Sequence, residues 1–278
     1  MKFSYLEHDH SLGKKRTDIV NEFKDSILNN VQLTVIVPVF QEASIIKDSL
    51  DQLYRILNNS NYDYEVIVAD DGSTDHCDRI IYSVKDELHN LKFMRHPLNM
   101  GRGFILTKAI RQSRGNVIIY IDADLQVDPE VIPRLAQRIE DGFDIAIGSK
   151  HHPDSQLYYS RWRKIQSLAY NKLARRILNV NVNDFQCGAK AFKRTSILEL
   201  LRHLTCNGWS WDTELIFKAK VLGYMLAEIP VIVRPNPDRK SSVDAKCIFN
   251  MGQYLIHLWI WSRTEAGAFA KTNKPSWR

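Results

Sequence analysis

A chain of 278 residues, 44% hydrophobic and 25% charged, can bury a sizeable core, which argues against wholesale disorder. That length fits one large α/β domain with decorations better than two equal domains. The net charge of +6 favours anionic partners, whether nucleic acid, phosphorylated substrates or anionic lipid surfaces, without choosing among them.

Residues 1–30 are polar and mixed in charge and read as an N-terminal extension, loose or briefly helical. Its start, MKFSYLEHDHSLGKKRTD, lacks the apolar centre of a signal peptide. Leu33–Val39 is a β-branched run apolar on both faces, as a buried parallel strand should be. Ile46, Leu50, Leu53 and Leu57 recur at helical spacing. Tyr64–Ala69 is a second strand and Leu91–Met94 a third. Ile105, Leu106, Ala109 and Ile110 mark a helix, and the strand Val117–Ile121 follows. Asp144–Gly148 and Leu226–Val233 complete the strand set. This alternation predicts βαβ units and a mainly parallel sheet with right-handed crossovers.

Two further helices are expected. Ser160–Leu178 carries Ile165, Ala169, Leu173 and Ile177 along one face and Arg161, Lys164, Lys172 and Arg175 along another. Cys247–Trp261 repeats Ile248, Met251, Leu255 and Leu258, with Phe249, Tyr254, Trp259 and Trp261 added. It is too short and too polar to span a bilayer, being interrupted by Asn250, Gln253 and His257. Each helix has two readings: an ordinary core helix with a solvated face, or an amphipathic element on an anionic membrane. The four cysteines, Cys77, Cys187, Cys206 and Cys247, form no C-x-x-C pair and point to a reducing compartment.

Ligands of an open parallel sheet sit beyond the carboxyl ends of its strands. Glu42 follows the first strand, Asp70 and Asp71 the second, and Asp122 and Asp124 the strand Val117–Ile121. Asp122, Asp124 and Gln126 are spaced i, i+2, i+4, so in an extended segment they leave one face. Three hard oxygen ligands there suit Mg²⁺ or Mn²⁺; otherwise these residues merely end a strand, with Asp128 capping the helix near Pro129. In Asp70-Asp71-Gly72-Ser73-Thr74-Asp75, an acid can accept hydrogen bonds from a ribose or base, or the segment is a turn and helix cap. Asn99-Met-Gly-Arg-Gly103 can cradle a diphosphate through its backbone N–H groups and Arg102, or be a flexible helix start.

These segments occur in order, each at a strand end. Together they resemble the inverting GT-A glycosyltransferases, and among them the polyprenyl-phosphate (dolichyl-phosphate) sugar synthases. The matching stretches are Val35–Glu42, Val66–Asp75, Asn99–Gly103 and Asp122–Gln126, with Asp184-Phe-Gln-Cys-Gly-Ala-Lys190 and Trp211-Asp-Thr-Glu214 extending the match. The resemblance implies a GT-A fold, a mainly parallel Rossmann-like sheet flanked by helices, with the catalytic domain over 31–235. Residues 236–278 would add an acceptor loop, an amphipathic helix and a tail. It implies a nucleotide site at Pro38, Val39, Glu42, Asp70, Asp71, Gly101, Arg102, Asp122 and Ala123. The metal would lie on Asp122, Asp124 and Gln126, with Asp124, Asp212 and Glu214 as catalytic groups. Lys150, Lys190, Arg239, Lys240, Ser241 and Ser242 would meet donor or acceptor phosphates. Gln41 stands where the family usually has Asn. Lys150 stands where Arg is common, replacing a bidentate contact by a point charge.

A sugar hydroxyl must lose a proton to become a nucleophile, so it needs a base such as Asp212 or Glu214. A phosphate monoester is already anionic and needs only nearby positive charge. The Lys- and Arg-rich second half therefore fits a lipid phosphate acceptor better. The resemblance implies a UDP- or GDP-sugar donor, and the two amphipathic helices with the net positive charge suit a peripheral position at the cytoplasmic face of a membrane. Transfer to a glycan or glycolipid hydroxyl, and a non-catalytic nucleotide-binding protein on a membrane surface, are the alternatives. No helix-turn-helix, zinc-finger or RNA-binding signature supports nucleic acid as partner.

Overall fold

The computed structural model describes residues 31–159, 161–235 and 245–272. The N-terminal extension and the expected phosphate ligands Arg239, Lys240, Ser241 and Ser242 lie outside the described residues.

Strand β1 (Leu33–Val39) leads through helix α1 (Ile46–Asn58) to β2 (Tyr64–Asp70), and α2 (Cys77–Val84) leads to β3 (Leu91–Arg95). Helix α3 (Arg102–Gln112) returns the chain to β4 (Val117–Ile121), followed by α4 (Val131–Glu140), β5 (Ile145–Ser149), the short β6 (Gln156–Leu157) and α5 (Arg161–Leu178). Then come β7 (Ala189–Lys193), α6 (Arg194–Leu200), α7 (Trp211–Leu222), β8 (Leu226–Pro230), β9 (Ile232–Val233), α8 (Ala245–Thr264) and α9 (Ala266–Thr272). The seven-stranded sheet runs β3-β2-β1-β4-β7-β5-β8, with β6 and β9 forming a separate pair. All neighbours in the large sheet are parallel except β7, which runs antiparallel to both β4 and β5.

Alternation along the strands divides the core into two layers. Leu33, Val35, Val37 and Val39 face α1, α2 and α4 together with Val66 and Val68. Ile36, Ile67, Ala69, Ile118 and Tyr120 face α3, α5, α6, α7 and α8. Because β1 sits between β2 and β4, the crossovers leave it in opposite directions. The crevice beyond its carboxyl end is therefore the topological switch point where such sheets bind ligands.

Three expectations are corrected. Leu226–Val233 is two strands rather than one: the chain changes sheets at Pro230, and Val231 N–H donates to Ser155 Oγ. Strand β7 adds to the expected set, pairing antiparallel with β4 and β5. On α5, Ile165, Ala169 and Leu173 are exposed, and the inward face is Asn171, Ala174 and Leu178. Asn171 turns inward because its Oδ1 accepts the Phe185 N–H at 2.9 Å.

On α8, Met251, Leu255 and Leu258 are buried as a core stripe. Trp261 packs edge-on against Phe217 and Phe269, whereas Phe249, Ile256, Trp259 and Ile260 are exposed. Among the described residues no helix is long and apolar enough to cross a membrane.

Candidate active site

A cavity of about 410 Å³ opens at the switch point and is lined by Pro38, Val39, Phe40 and Glu42 from the end of β1. Asp71, Gly101 and Arg102 form another wall, and Asp122, Ala123, Asp124 and Gln126 a third. A smaller hollow of about 100 Å³ meets it at Asp122, Asp124, Gln126 and Gln186 and adds Lys150 and Gly188. Nearly all the nucleotide and metal residues expected from the sequence thus surround one space.

Asp70 is the exception. Its side chain is fully buried outside the cavity lining, with Oδ1 accepting the Ser73 N–H at 2.9 Å and Arg95 Nε lying 3.2 Å from Oδ2. The strand ends on Asp70, so alternation turns it away from the crevice. Its neighbour Asp71 lines the cavity instead, but its oxygens accept the N–H groups of Met100 at 3.0 Å and Gly101 at 2.7 Å. Burial nevertheless raises its carboxyl above the ordinary value. Those two backbone donors are therefore already engaged, and the glycine loop's main offering to a ligand is the Arg102 side chain. Gly101 adopts φ +103, and a Cβ there would stand 2.5 Å from the Asn207 carbonyl oxygen, so this turn requires glycine. Asp75 does not cap α2 as its N-cap residue, a place held by His76. Even so, Asp75 Oδ1 accepts the N–H of Cys77, the first residue of α2, at 3.2 Å, while its Oδ2 accepts Ala43 N–H at 2.8 Å and ties the β1 and β2 loops together.

Asp122, Asp124 and Gln126 converge by a turn rather than along an extended strand. Leu125 N–H donates to the Asp122 carbonyl at 3.0 Å, and Leu125 takes φ +43. Asp124 Oδ2 accepts Gln126 Nε2 at 2.8 Å. Among the described residues no group of three or more His, Cys, Asp or Glu side chains could hold a metal ion. The set is two carboxylates and an amide, an open half-shell of hard oxygens. That fits Mg²⁺ or Mn²⁺, which keep positions for water and substrate phosphates rather than a full protein cage. Gly188 leaves room for this half-shell, because a Cβ there would stand 2.2 Å from Asp122 Oδ2.

Behind the cavity lies a chain of alternating charges. Arg102 bridges two acids, Nη2 to Asp122 Oδ1 at 2.7 Å and Nη1 to Asp212 Oδ2 at 2.6 Å. Lys190 Nζ lies 2.9 Å from Asp212 Oδ1 and also donates to Tyr120 Oη and the Cys187 carbonyl, each at 2.8 Å. The Tyr120 hydroxyl donates to Asp212 as well. Burial alone would raise the Asp212 carboxyl, but Lys190, Arg102 and the Tyr120 hydroxyl outweigh it and hold the group below the ordinary carboxylate range. Lys190 has no solvent exposure, which corrects the expectation that it meets a phosphate: its three donors are consumed internally. This explains β7, whose buried lysine is neutralised by an acid from the helix packed on that face of the sheet.

Glu214 is also corrected. It faces away from the cavity, accepting the N–H groups of Thr205 and Cys206 and pairing with Lys218 at 2.6 Å. Glu214→Gln should lower stability by about 1–3 kcal/mol, the range for a lost charged hydrogen bond, without altering nucleotide affinity. Paired melting and calorimetric titrations check both halves, and a large loss of affinity would return Glu214 to the active site. Lys150 is well positioned beside the half-shell. Burial would lower its ammonium, but Asp184, with Oδ2 3.7 Å away, more than compensates and keeps it charged.

A doubly wound sheet with an acid-rich cavity at its switch point and an oxygen half-shell after β4 is the architecture of the nucleotide-diphospho-sugar (GT-A) glycosyltransferases. The model of glycosyl transferase family 2 matches residues 34–201, and the chain belongs to that family. It is 32% identical over 237 residues to glycosyltransferase AglD of Haloferax volcanii, covering 84% of this chain but only 38% of that protein's length. It is 28% identical to a dolichyl-phosphate beta-glucosyltransferase of Dictyostelium discoideum, covering 84% of this chain and 77% of that one. Among solved structures, glucosyl-3-phosphoglycerate synthase from Mycobacterium tuberculosis, in complex with Mn²⁺, UDP and glucosyl-3-phosphoglycerate, shares the fold. That likeness has a TM-score of 0.60 and 21% identity over 88% of this chain and 83% of that one.

Proposed function

We propose that this chain is an inverting, metal-dependent glycosyltransferase that moves a sugar from a UDP- or GDP-sugar to a polyprenyl or dolichyl phosphate. The observation that carries the acceptor class is the state of Asp212. A hydroxyl acceptor needs a carboxylate free to take its proton. Asp212 is only 4% exposed, and its oxygens are engaged by Arg102, Lys190 and Tyr120. Glu214 faces elsewhere. A phosphate oxygen needs no base, and Lys150 supplies a cation beside the reaction space. The name of the Dictyostelium relative points to the same acceptor.

In this reading the end of β1 and Asp71 flank the nucleotide, and Arg102 faces the diphosphate. Asp122, Asp124 and Gln126 would hold Mg²⁺ or Mn²⁺, which supplies Lewis acidity to the departing diphosphate when bound. The acceptor phosphate oxygen forms a bond to the anomeric carbon as the bond to the diphosphate oxygen breaks. Attack from opposite faces inverts that centre. A third hollow, lined by Cys206, Trp209, Cys247, Met251 and Tyr254, shares Gly208 and Trp209 with the donor cavity and offers apolar surface to the first isoprenoid units.

Two measurements test this reading. With Mn²⁺ present, a UDP- or GDP-sugar at a hundred times its Kd should add about 2.7 kcal/mol of stability and raise the melting temperature by several degrees. If no nucleotide sugar stabilises the chain, the donor assignment fails. We also infer that the chain works at the cytoplasmic face of a membrane. The exposed Ile165, Leu168 and Leu173 share α5 with the exposed Lys164, Lys172, Arg175 and Arg176, and α8 adds Phe249, Ile256, Trp259 and Ile260. Basic side chains near an anionic surface contribute on the order of 1 kcal/mol each, screened by salt, while apolar insertion is not screened. Flotation with anionic liposomes should therefore persist in part at high salt, and Ile256→Ser with Trp259→Ser should remove that remaining binding. Protein that stays in the soluble fraction at low salt would contradict the placement.

A further inference from the structure

Arg102 is held in an unusual way. Its guanidinium is well sheltered, with side-chain exposure of 12%, and it stacks 4.9 Å from the Tyr120 ring centroid and 5.8 Å from that of Trp209. One nitrogen is anchored on Asp212, itself fixed by Lys190 and Tyr120, so this end cannot readily move. The other nitrogen holds Asp122, whose side chain is 33% exposed and forms one edge of the oxygen half-shell. The two partners are thus unequal: Asp212 is a buried pivot, while Asp122 is a solvent-accessible carboxylate with a second potential partner, a divalent cation.

We propose that Arg102 is a built-in counter-ion for Asp122 that suppresses divalent cation binding until a nucleoside diphosphate arrives. This rests on the donor and metal reading above and adds an order to it. A cation approaching the half-shell alone must displace or crowd the guanidinium, and two positive centres then share one carboxylate. A diphosphate changes the balance. It brings negative charge between the two cations, so Nη2 exchanges Asp122 for a phosphate oxygen while Nη1 stays on Asp212. Asp122 is released to the metal, and the ring stacking limits the movement to a short swing. By thermodynamic reciprocity, metal and nucleotide then strengthen each other's binding equally. The order also guards the donor site against idle occupation by cellular Mg²⁺.

The test is Mn²⁺ binding to the whole chain, followed by electron paramagnetic resonance, first alone and then with UDP or GDP. Wild type should bind Mn²⁺ weakly alone and much more tightly with one of the nucleotides. Arg102→Gln should tighten binding of Mn²⁺ alone by about tenfold and shrink the enhancement produced by the nucleotide. Arg102→Lys keeps a cation for Asp212 but cannot span both acids, so it should shift in the same direction and guards against a folding defect in the glutamine variant. If both variants bind Mn²⁺ alone no more tightly than wild type while wild type retains the nucleotide effect, the counter-ion role is overturned and the donor reading stands. If wild type binds no Mn²⁺ even with either nucleotide, the metal reading fails and the counter-ion proposal falls with it.

Discussion

Asp124→Ala should reduce sugar transfer by roughly a thousandfold, corresponding to about 4 kcal/mol of lost transition-state stabilisation. Asp124 sits in the turn after β4, lines both hollows, and is 8% exposed. Its partners include the Gln126 N–H at 3.3 Å and Gln126 Nε2 at 2.8 Å in the same turn, and it lies outside the sheet strands, so truncation should spare the sheet. Asp124→Asn keeps an oxygen for the Gln126 N–H but removes the charge and the acceptor for Gln126 Nε2, so it should lose activity to a similar degree. Initial rates, compared with melting curves and circular dichroism of the same samples, separate chemistry from folding. Full activity in either variant, or undiminished wild-type activity in excess chelator, would remove the metal assignment.

Asp212→Ala should act mainly on stability. It leaves the buried Lys190 ammonium without its acid partner, and breaking a buried pair in this way typically costs about 3–5 kcal/mol. For a chain of this size the melting temperature should fall by on the order of 10 °C. Adding Lys190→Met removes the stranded charge and should recover much of the loss. The acid limb provides an independent check. A carboxyl held below its unfolded value contributes stability that is present above the unfolded pKa and lost as pH falls through the lower folded one. Wild type should therefore lose this contribution only below the ordinary carboxylate range, and Asp212→Asn should flatten that part of the stability curve. A variant with wild-type melting behaviour but no transfer would instead make Asp212 a catalytic base.

These two residues also mark how far the sequence could be read. Runs such as Val35-Ile-Val-Pro-Val39 and Val117–Ile121 declare buried strands, because a short β-branched run apolar on both faces suits a strand covered on both sides. Acids directly after those runs declare the cavity, since strand ends in an open sheet meet at the switch point. Three things stayed hidden, each because a distant partner reverses a local preference. Lys190 makes β7 look like a loop until Asp212, from α7, is found beside it. Asn171 makes the wrong face of α5 look like the core until the Phe185 N–H claims its side chain. Asp70 and Asp71 are equivalent as letters, and only the alternation of β2 assigns one to Arg95 and the other to the glycine loop. Arg102 stood out as a diphosphate ligand, but no local signal could show that it bridges acids from two separate elements. The sealed state of Asp212, which weighs on the choice of acceptor, follows from that same long-range network.

The choice of acceptor can be measured directly. Purified chain, Mn²⁺ and the stabilising nucleotide sugar, radiolabelled in the sugar, would be incubated in parallel with a polyprenyl phosphate and with the matching polyprenol in detergent. Chain length and detergent are identical in the two arms, so the only variable is whether the nucleophile is an ionised phosphate or a hydroxyl that needs a base. Labelled lipid should form from the phosphate alone, and mild acid should release its label as free sugar. Equal or greater transfer to the polyprenol would contradict the lipid phosphate as acceptor.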